Sequence, residues 1–223
     1  METSLIQAAI FDMDGLLIDS EPLWMEAELK VLRGVGVPLL PANCVETRGW
    51  RVDEVVAYWF SRHPWEGPAP HMVAGQLVDA VIELVQKRGA PLPGAIEAIE
   101  ALSERFGVVG LASSSPTILI EAVLEVLGVR SHFQVVHSAE GEAFGKPHPA
   151  VFLSAARKLG MDPTRCLVLE DSFAGVLAAK AARMKCIAVP EAGERGDPRF
   201  VIADRILGSL EELDRIDWTA LTR

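Results

Sequence analysis

The chain reads as an α/β protein, a doubly wound parallel sheet carrying an inserted all-helical unit. Three observations predict this. Five short β-rich runs, at residues 5–11, 107–112, 133–137, 166–169 and 186–189, alternate with helical patterns, and parallel neighbours need such crossovers. Residues 19–88 show helix periodicity and no strand pattern. Gly89-Ala90-Pro91-Leu92-Pro93-Gly94 then reads as a hinge returning the chain to the sheet.

In the first run, Leu5, Ile6, Ala8, Ala9, Ile10 and Phe11 carry the pattern of a strand buried on both faces. It ends abruptly in Asp12 and Asp14, which a two-residue period points the same way. Two like charges so close require a divalent cation between them, or one carboxyl that keeps its proton.

In the insertion, Val52, Val55, Val56, Trp59 and Phe60 fall at i, i+3, i+4, i+7 and i+8, and Val73, Leu77, Ala80, Val81 and Leu84 show the same helical spacing. Four of the five tryptophans, Trp24, Trp50, Trp59 and Trp65, lie here. Trp59 is expected in a helical core, Trp24 and Trp50 nearer the junction with the sheet. The boundaries give a core domain of residues 1–18 and 90–223 and a helical domain of 19–89. Leaving and re-entering beside the acidic pair, the helical domain is placed to cover it.

After the second run, Ser113-Ser114-Ser115-Pro116 reads as a serine N-cap with proline at N1, opening a helix through Leu119, Val123, Leu124 and Leu127 to Gly128. Gly145-Lys146-Pro147-His148-Pro149 opens a crossover helix marked by Val151, Phe152, Ala155, Ala156 and Leu159 and closed by Gly160. Glu170-Asp171-Ser172 follow the fourth run, and Val176, Leu177 and Ala181 mark the helix beyond.

At 223 residues the chain can bury a sizeable core. Hydrophobic residues are 50% and mean hydropathy is +0.25, yet no apolar stretch approaches the roughly 18 residues needed to span a bilayer. Met1 to Ser4 carry no basic region, so no signal peptide is read and a cytoplasmic location is expected. Cys44, Cys166 and Cys186 are an odd, scattered set that reads as buried reduced thiols. A net charge of −10 without a basic cluster argues against nucleic-acid and anionic-membrane partners. An anionic substrate must therefore find locally placed cations, in a protein expected as a monomer or weak homo-oligomer.

Ligands of an open parallel sheet bind beyond the carboxyl ends of its strands. The groups found there belong together chemically. Ser113, Ser114 and Ser115 offer hydroxyls and free amides to an anion, although the same residues also make an ordinary helix cap. Lys146 offers one fixed cation, with a solvated loop lysine as the alternative. Glu170 and Asp171 are either a helix cap or hard-oxygen metal ligands. Other motifs fail: an EF-hand counted from Asp12 finds Leu17 and Leu23 where Gly and Glu are needed. Phosphate-loop, dinucleotide, zinc-protease and serine-hydrolase signatures are missing, and the five histidines lack metal-ligand spacing.

These residues resemble the motifs of the haloacid dehalogenase-like hydrolases, in order and spacing across nearly the whole chain. Asp12-Met13-Asp14-Gly15 with Asp19-Ser20-Glu21 is similar to the first motif and Ser113 to the second. Lys146 between Gly145 and Pro147 is similar to the third, and Glu170-Asp171 with Gly175 to the fourth. Residues 12–22, 43–65, 110–116 and 146–149 resemble bacterial sugar-phosphate phosphatases of the hexitol phosphatase and 2-deoxyglucose-6-phosphate phosphatase type.

The resemblance implies a Rossmann-like core, a helical cap, and Mg²⁺-dependent hydrolysis of a small phosphorylated sugar or polyol. It assigns Asp12 as the nucleophile that forms an aspartyl phosphate, and Asp14 as general acid and then base. It gives Mg²⁺ to the Asp12 carboxylate, the Asp14 carbonyl and Asp171, with Glu170 bound directly or through water. Lys146, Ser113 and the amides of Ser114 and Ser115 would hold the phosphoryl oxygens. Arg51 is expected to reach the substrate from the cap.

Rivals remain distinguishable. A β-phosphoglucomutase-like enzyme would carry a histidine where Trp24 stands and a cap lysine where residues 68–86 have none. A dehalogenase would leave Asp14 without a task, since halide departs unprotonated. A non-catalytic sugar-phosphate-binding module fits poorly with both Asp12 and Asp14.

Overall fold

The computed structural model describes residues 6–221; Leu5, and Met1 to Ser4 where no signal peptide was read, lie outside them. One sheet contains six parallel strands: β1 (Ala8–Phe11), β2 (Val109–Ser113), β3 (Val135–Ser138), β4 (Cys166–Glu170), β5 (Lys185–Ala188) and β6 (Arg205–Ile206). Their order is β3-β2-β1-β4-β5-β6. The chain thus builds outward from β1, then returns to the other side of β1, which makes the β1–β4 junction the topological switch point. Phe11 is in register with Leu169, so Asp12 emerges beside Glu170 and Asp171.

The insertion comprises α1 (Glu21–Gly34), α2 (Pro41–Cys44), α3 (Val52–Arg62) and α4 (Pro70–Arg88). Four crossover helices follow: α5 (Ala95–Phe106), α6 (Thr117–Leu127), α7 (Ala150–Leu159) and α8 (Phe173–Ala181). Strand β1 divides its side chains between them by the two-residue period. Ala9 and Phe11 join the apolar cluster of α5 and α6, whereas Ala8 and Ile10 join that of α7 and α8. The first cluster extends without a break into the insertion, where α4 packs on α6 and Trp59 is buried as expected. The two linkers pair with each other, the Leu92 amide donating to the Leu17 carbonyl at 3.0 Å and the Asp19 amide to the Ala90 carbonyl at 3.2 Å.

Some local expectations are corrected. Strand β2 begins at Val109 because Gly107, at φ 71°, closes α5. Strand β6 was not foreseen; two exposed edge residues leave no apolar pattern to read. The N-cap of α6 is Pro116, in extended geometry with the helix starting at Thr117, so Ser115 is no cap and Pro116 is not at N1. The serine is drawn elsewhere, as the site makes clear. Cys44, Cys166 and Cys186 are free and buried. Among the described residues no helix is long and apolar enough to cross a membrane.

Candidate active site

Four strand ends and the insertion enclose a cavity of about 670 Å³, lined among others by Asp12, Asp14, Ser113, Lys146 and Asp171. At its floor, Lys146 Nζ donates to Asp12 Oδ1 at 2.6 Å and to Glu170 Oε1 at 2.5 Å, 5.0 Å from the centre of the Phe152 ring. All three charged groups are buried. Burial alone would lower the lysine's pKa, but the two carboxylates override it and hold the ammonium charged.

Three buried carboxylates share this one lysine. Oxygens of Asp12, Glu170 and Asp171 lie within 4.8 Å of one another. Burial pushes Asp12 up to about 7 against the pull of Lys146, and burial with the neighbouring acids raises Asp171 well above the usual carboxylate range. Asp171 Oδ1 is buried with no hydrogen-bond partner among the described residues. Unpaired hard oxygens with surplus negative charge fit a divalent cation of the Mg²⁺ kind. Glu170 sits differently: its Oε1 is taken by Lys146, its Oε2 by the Ser172 amide at 2.9 Å and hydroxyl at 3.0 Å. Its visible work is to hold the lysine.

Two glycines make room for these acids. A Cβ on Gly15, which adopts φ 72°, would lie 2.4 Å from Asp171 Oδ2; one on Gly175 would lie 1.7 Å from Glu170 Oε1. In either case the carboxylate would have to shift from its place in the site.

Asp14 hangs above the floor on separate tethers. Ser20 Oγ at 2.7 Å and Trp24 Nε1 at 3.1 Å donate to its Oδ1, and Ser115 Oγ at 2.7 Å to its Oδ2. Ser113 Oγ approaches the same Oδ2 at 3.5 Å and accepts from the Ser115 amide at 3.0 Å. Ser115 therefore serves Asp14 rather than capping α6. Ser114 Oγ is buried without a partner among the described residues. Sequence reasoning missed Ser20 and Trp24 as the pair that grips Asp14, although their i, i+4 spacing at the start of α1 carried that signal.

Arg51 does not reach the cavity. Its Nη1 donates to the Glu142 carbonyl at 2.6 Å and its Nη2 to Asp53 at 2.5 Å, tying the insertion to the core outside the cavity lining. Two other arginines line the cavity: Arg48, paired with Glu21 at 2.9 Å and with Glu191 at 2.7 Å, and Arg195, whose Nη2 donates to the Gly208 carbonyl at 2.6 Å.

What the sheet gathers at its switch point is the equipment of a hydrolase working on phosphate esters. The chain belongs to the haloacid dehalogenase-like hydrolase family, whose model matches residues 6–183, and within it to the phosphatases. It is 48% identical over 213 residues to hexitol phosphatase B of Escherichia coli (strain K12), covering 95% of this chain and 96% of that one. It is 30% identical to the fructose-1-phosphate phosphatase YqaB of the same organism, over 81% of this chain and 94% of the other. The crystal structure of CbbY from Rhodobacter sphaeroides in complex with phosphate matches at a TM-score of 0.82 and 28% identity, over 93% of this chain and 96% of that chain.

Proposed function

We propose that this protein hydrolyses small sugar phosphates, of the hexose, deoxyhexose or hexitol kind, with residues 19–89 as the cap over the reacting centre. The observation that carries the reading is one cavity joining Asp12, Asp14 and Lys146 to a wall supplied by the insertion. The 48% identity to a hexitol phosphatase supports the sugar part.

Asp12 Oδ2, which receives no donor among the described residues, attacks phosphorus while Asp14 gives its proton to the departing sugar oxygen. The P–O bond to the sugar breaks and an aspartyl phosphate forms. Water then attacks phosphorus, Asp14 takes its proton, and the bond to Asp12 breaks to release phosphate. Lys146 with the 113–115 segment offsets charge on the phosphoryl oxygens. The Asp12 and Asp171 carboxylates and the Asp14 carbonyl would hold Mg²⁺, with Glu170 acting through Lys146. When bound, the cation neutralises phosphoryl charge.

Transfer to water, rather than back to a sugar, accords with Trp24 at the position where the mutase pattern has histidine. A cytoplasmic location accords with the free cysteines. The test is phosphate release from a panel of hexose, deoxyhexose, pentose and hexitol phosphates with Mg²⁺ and with EDTA. Release from several members that stops with EDTA is expected; no release from any sugar phosphate overturns the reading.

A further inference from the structure

One face of α1 runs along the cavity wall, with Glu21, Trp24, Met25 and Glu28 at i, i+3, i+4 and i+7. Trp24 touches Asp14 through its indole, and Glu28 lies one helical turn farther along the axis, about 6 Å. Glu28 is only 6% exposed, yet its Oε2 has no hydrogen-bond partner among the described residues. Its polar neighbour is the Cys44 thiol, a weak donor, and burial pushes its carboxyl up to about 7. Thr47 also lines the cavity, is 2% exposed, and likewise leaves Oγ1 unpartnered. Buried polar atoms without partners are costly in a free protein and are explained when a ligand supplies the missing bonds.

The charges nearby narrow what that ligand is. Arg48 in the same wall is held by Glu21 and Glu191, and Lys146 by Asp12 and Glu170. Arg195, which also lines the cavity, donates to the Gly208 carbonyl at 2.6 Å, so the feature that disfavours a second anion beside Glu28 is the acid itself. Substrate hydroxyls suit each atom, since a hydroxyl can donate to Glu28 Oε2 or accept from Thr47 Oγ1.

We propose that Glu28 and Thr47 form a hydroxyl-recognition subsite for the uncharged polyol end of the substrate whose phosphate lies at Asp12. This rests on the sugar-phosphatase reading and names the residues that would select the sugar. The test compares wild type, Glu28→Leu and Thr47→Val on sorbitol 6-phosphate and on p-nitrophenyl phosphate, which offers no hydroxyls. Each variant is expected to raise KM for sorbitol 6-phosphate by about tenfold more than for p-nitrophenyl phosphate. Glu28→Leu is also expected to raise Tm, since an unpaired buried carboxyl is removed; a structural role would lower Tm. Equal losses on both substrates, or a preference for sorbitol 6-phosphate retained by both variants, overturn the subsite alone. A wild-type enzyme with no preference for sorbitol 6-phosphate overturns the polyol subsite alone, whereas release from no sugar phosphate defeats the sugar reading and the subsite with it.

Discussion

Asp12 and Asp14 leave the same strand two residues apart, yet their surroundings divide the chemistry between them. Asp12 is in the floor with Lys146 and the other buried acids; among the described residues Asp14 accepts from neutral donors, Ser20, Trp24, Ser115 and, at 3.5 Å, Ser113. Asp12→Asn removes the nucleophile without changing volume and should lower kcat by at least about a thousandfold. Its circular dichroism spectrum should match wild type, and wild-type turnover in the variant would sink the assignment. Trp24→Phe keeps the ring and deletes one donor to Asp14. A proton delivered by Asp14 matters most when the departing oxygen is basic. The variant should therefore lose about tenfold in kcat on a sugar phosphate and far less on p-nitrophenyl phosphate, and equal losses would count against the tether.

Turns and helix starts place these groups, and Gly175 in the first turn of α8 shows how little latitude they allow. Its amide donates to the capping Ser172 Oγ at 3.0 Å, and that hydroxyl in turn donates to Glu170. In an ordinary helix Gly→Ala stabilises by about 1 kcal/mol. Here the added carbon would lie 1.7 Å from Glu170 Oε1, so Gly175→Ala should destabilise by about 1–3 kcal/mol and reduce turnover by displacing Lys146. Urea denaturation measures the first effect, and a stabilised variant would refute the packing argument. The same scale explains what could be read in the chain beforehand. Strands β1 and β4 were legible because unbroken apolar runs end in charged residues, and the convergence of Asp12 and Asp171 follows from strand ends, with Lys146 brought in by the segment between β3 and α7. Ser115 was misread because its partner, Asp14, is 101 residues away, and local pattern carries no trace of that bond. Arg51 and Arg48 illustrate the same limit: their fates are decided by Glu142 and Glu191, at separations of 91 and 143 residues.

For the molecule as a whole, the concentration of buried acids couples stability to protons and to cations. Asp12, Glu21 and Glu28 are each pushed up to about 7, in every case chiefly by burial, and Asp171 is raised as well. A folded pKa above the unfolded one means that the folded state holds more protons between the two values. The associated stability is full below the unfolded values, near 4, and is lost as pH rises through about 7. In EDTA, Tm should therefore fall between about pH 5.5 and about pH 8. A divalent cation at Asp12 and Asp171 takes the deprotonated oxygens, so protons compete with it at the lower pH. It stabilises the folded state by mass action, and the increase in Tm on adding Mg²⁺ should be larger at about pH 8 than at about pH 5.5. Asp171→Asn removes one ligand and one buried charge together; it should shrink the Mg²⁺-dependent increase while raising Tm in EDTA at the higher pH. Differential scanning fluorimetry across the two pH values separates these effects. An Mg²⁺ shift equal at both pH values, or unchanged in Asp171→Asn, would mean that the cation binds elsewhere than at the β1–β4 switch point.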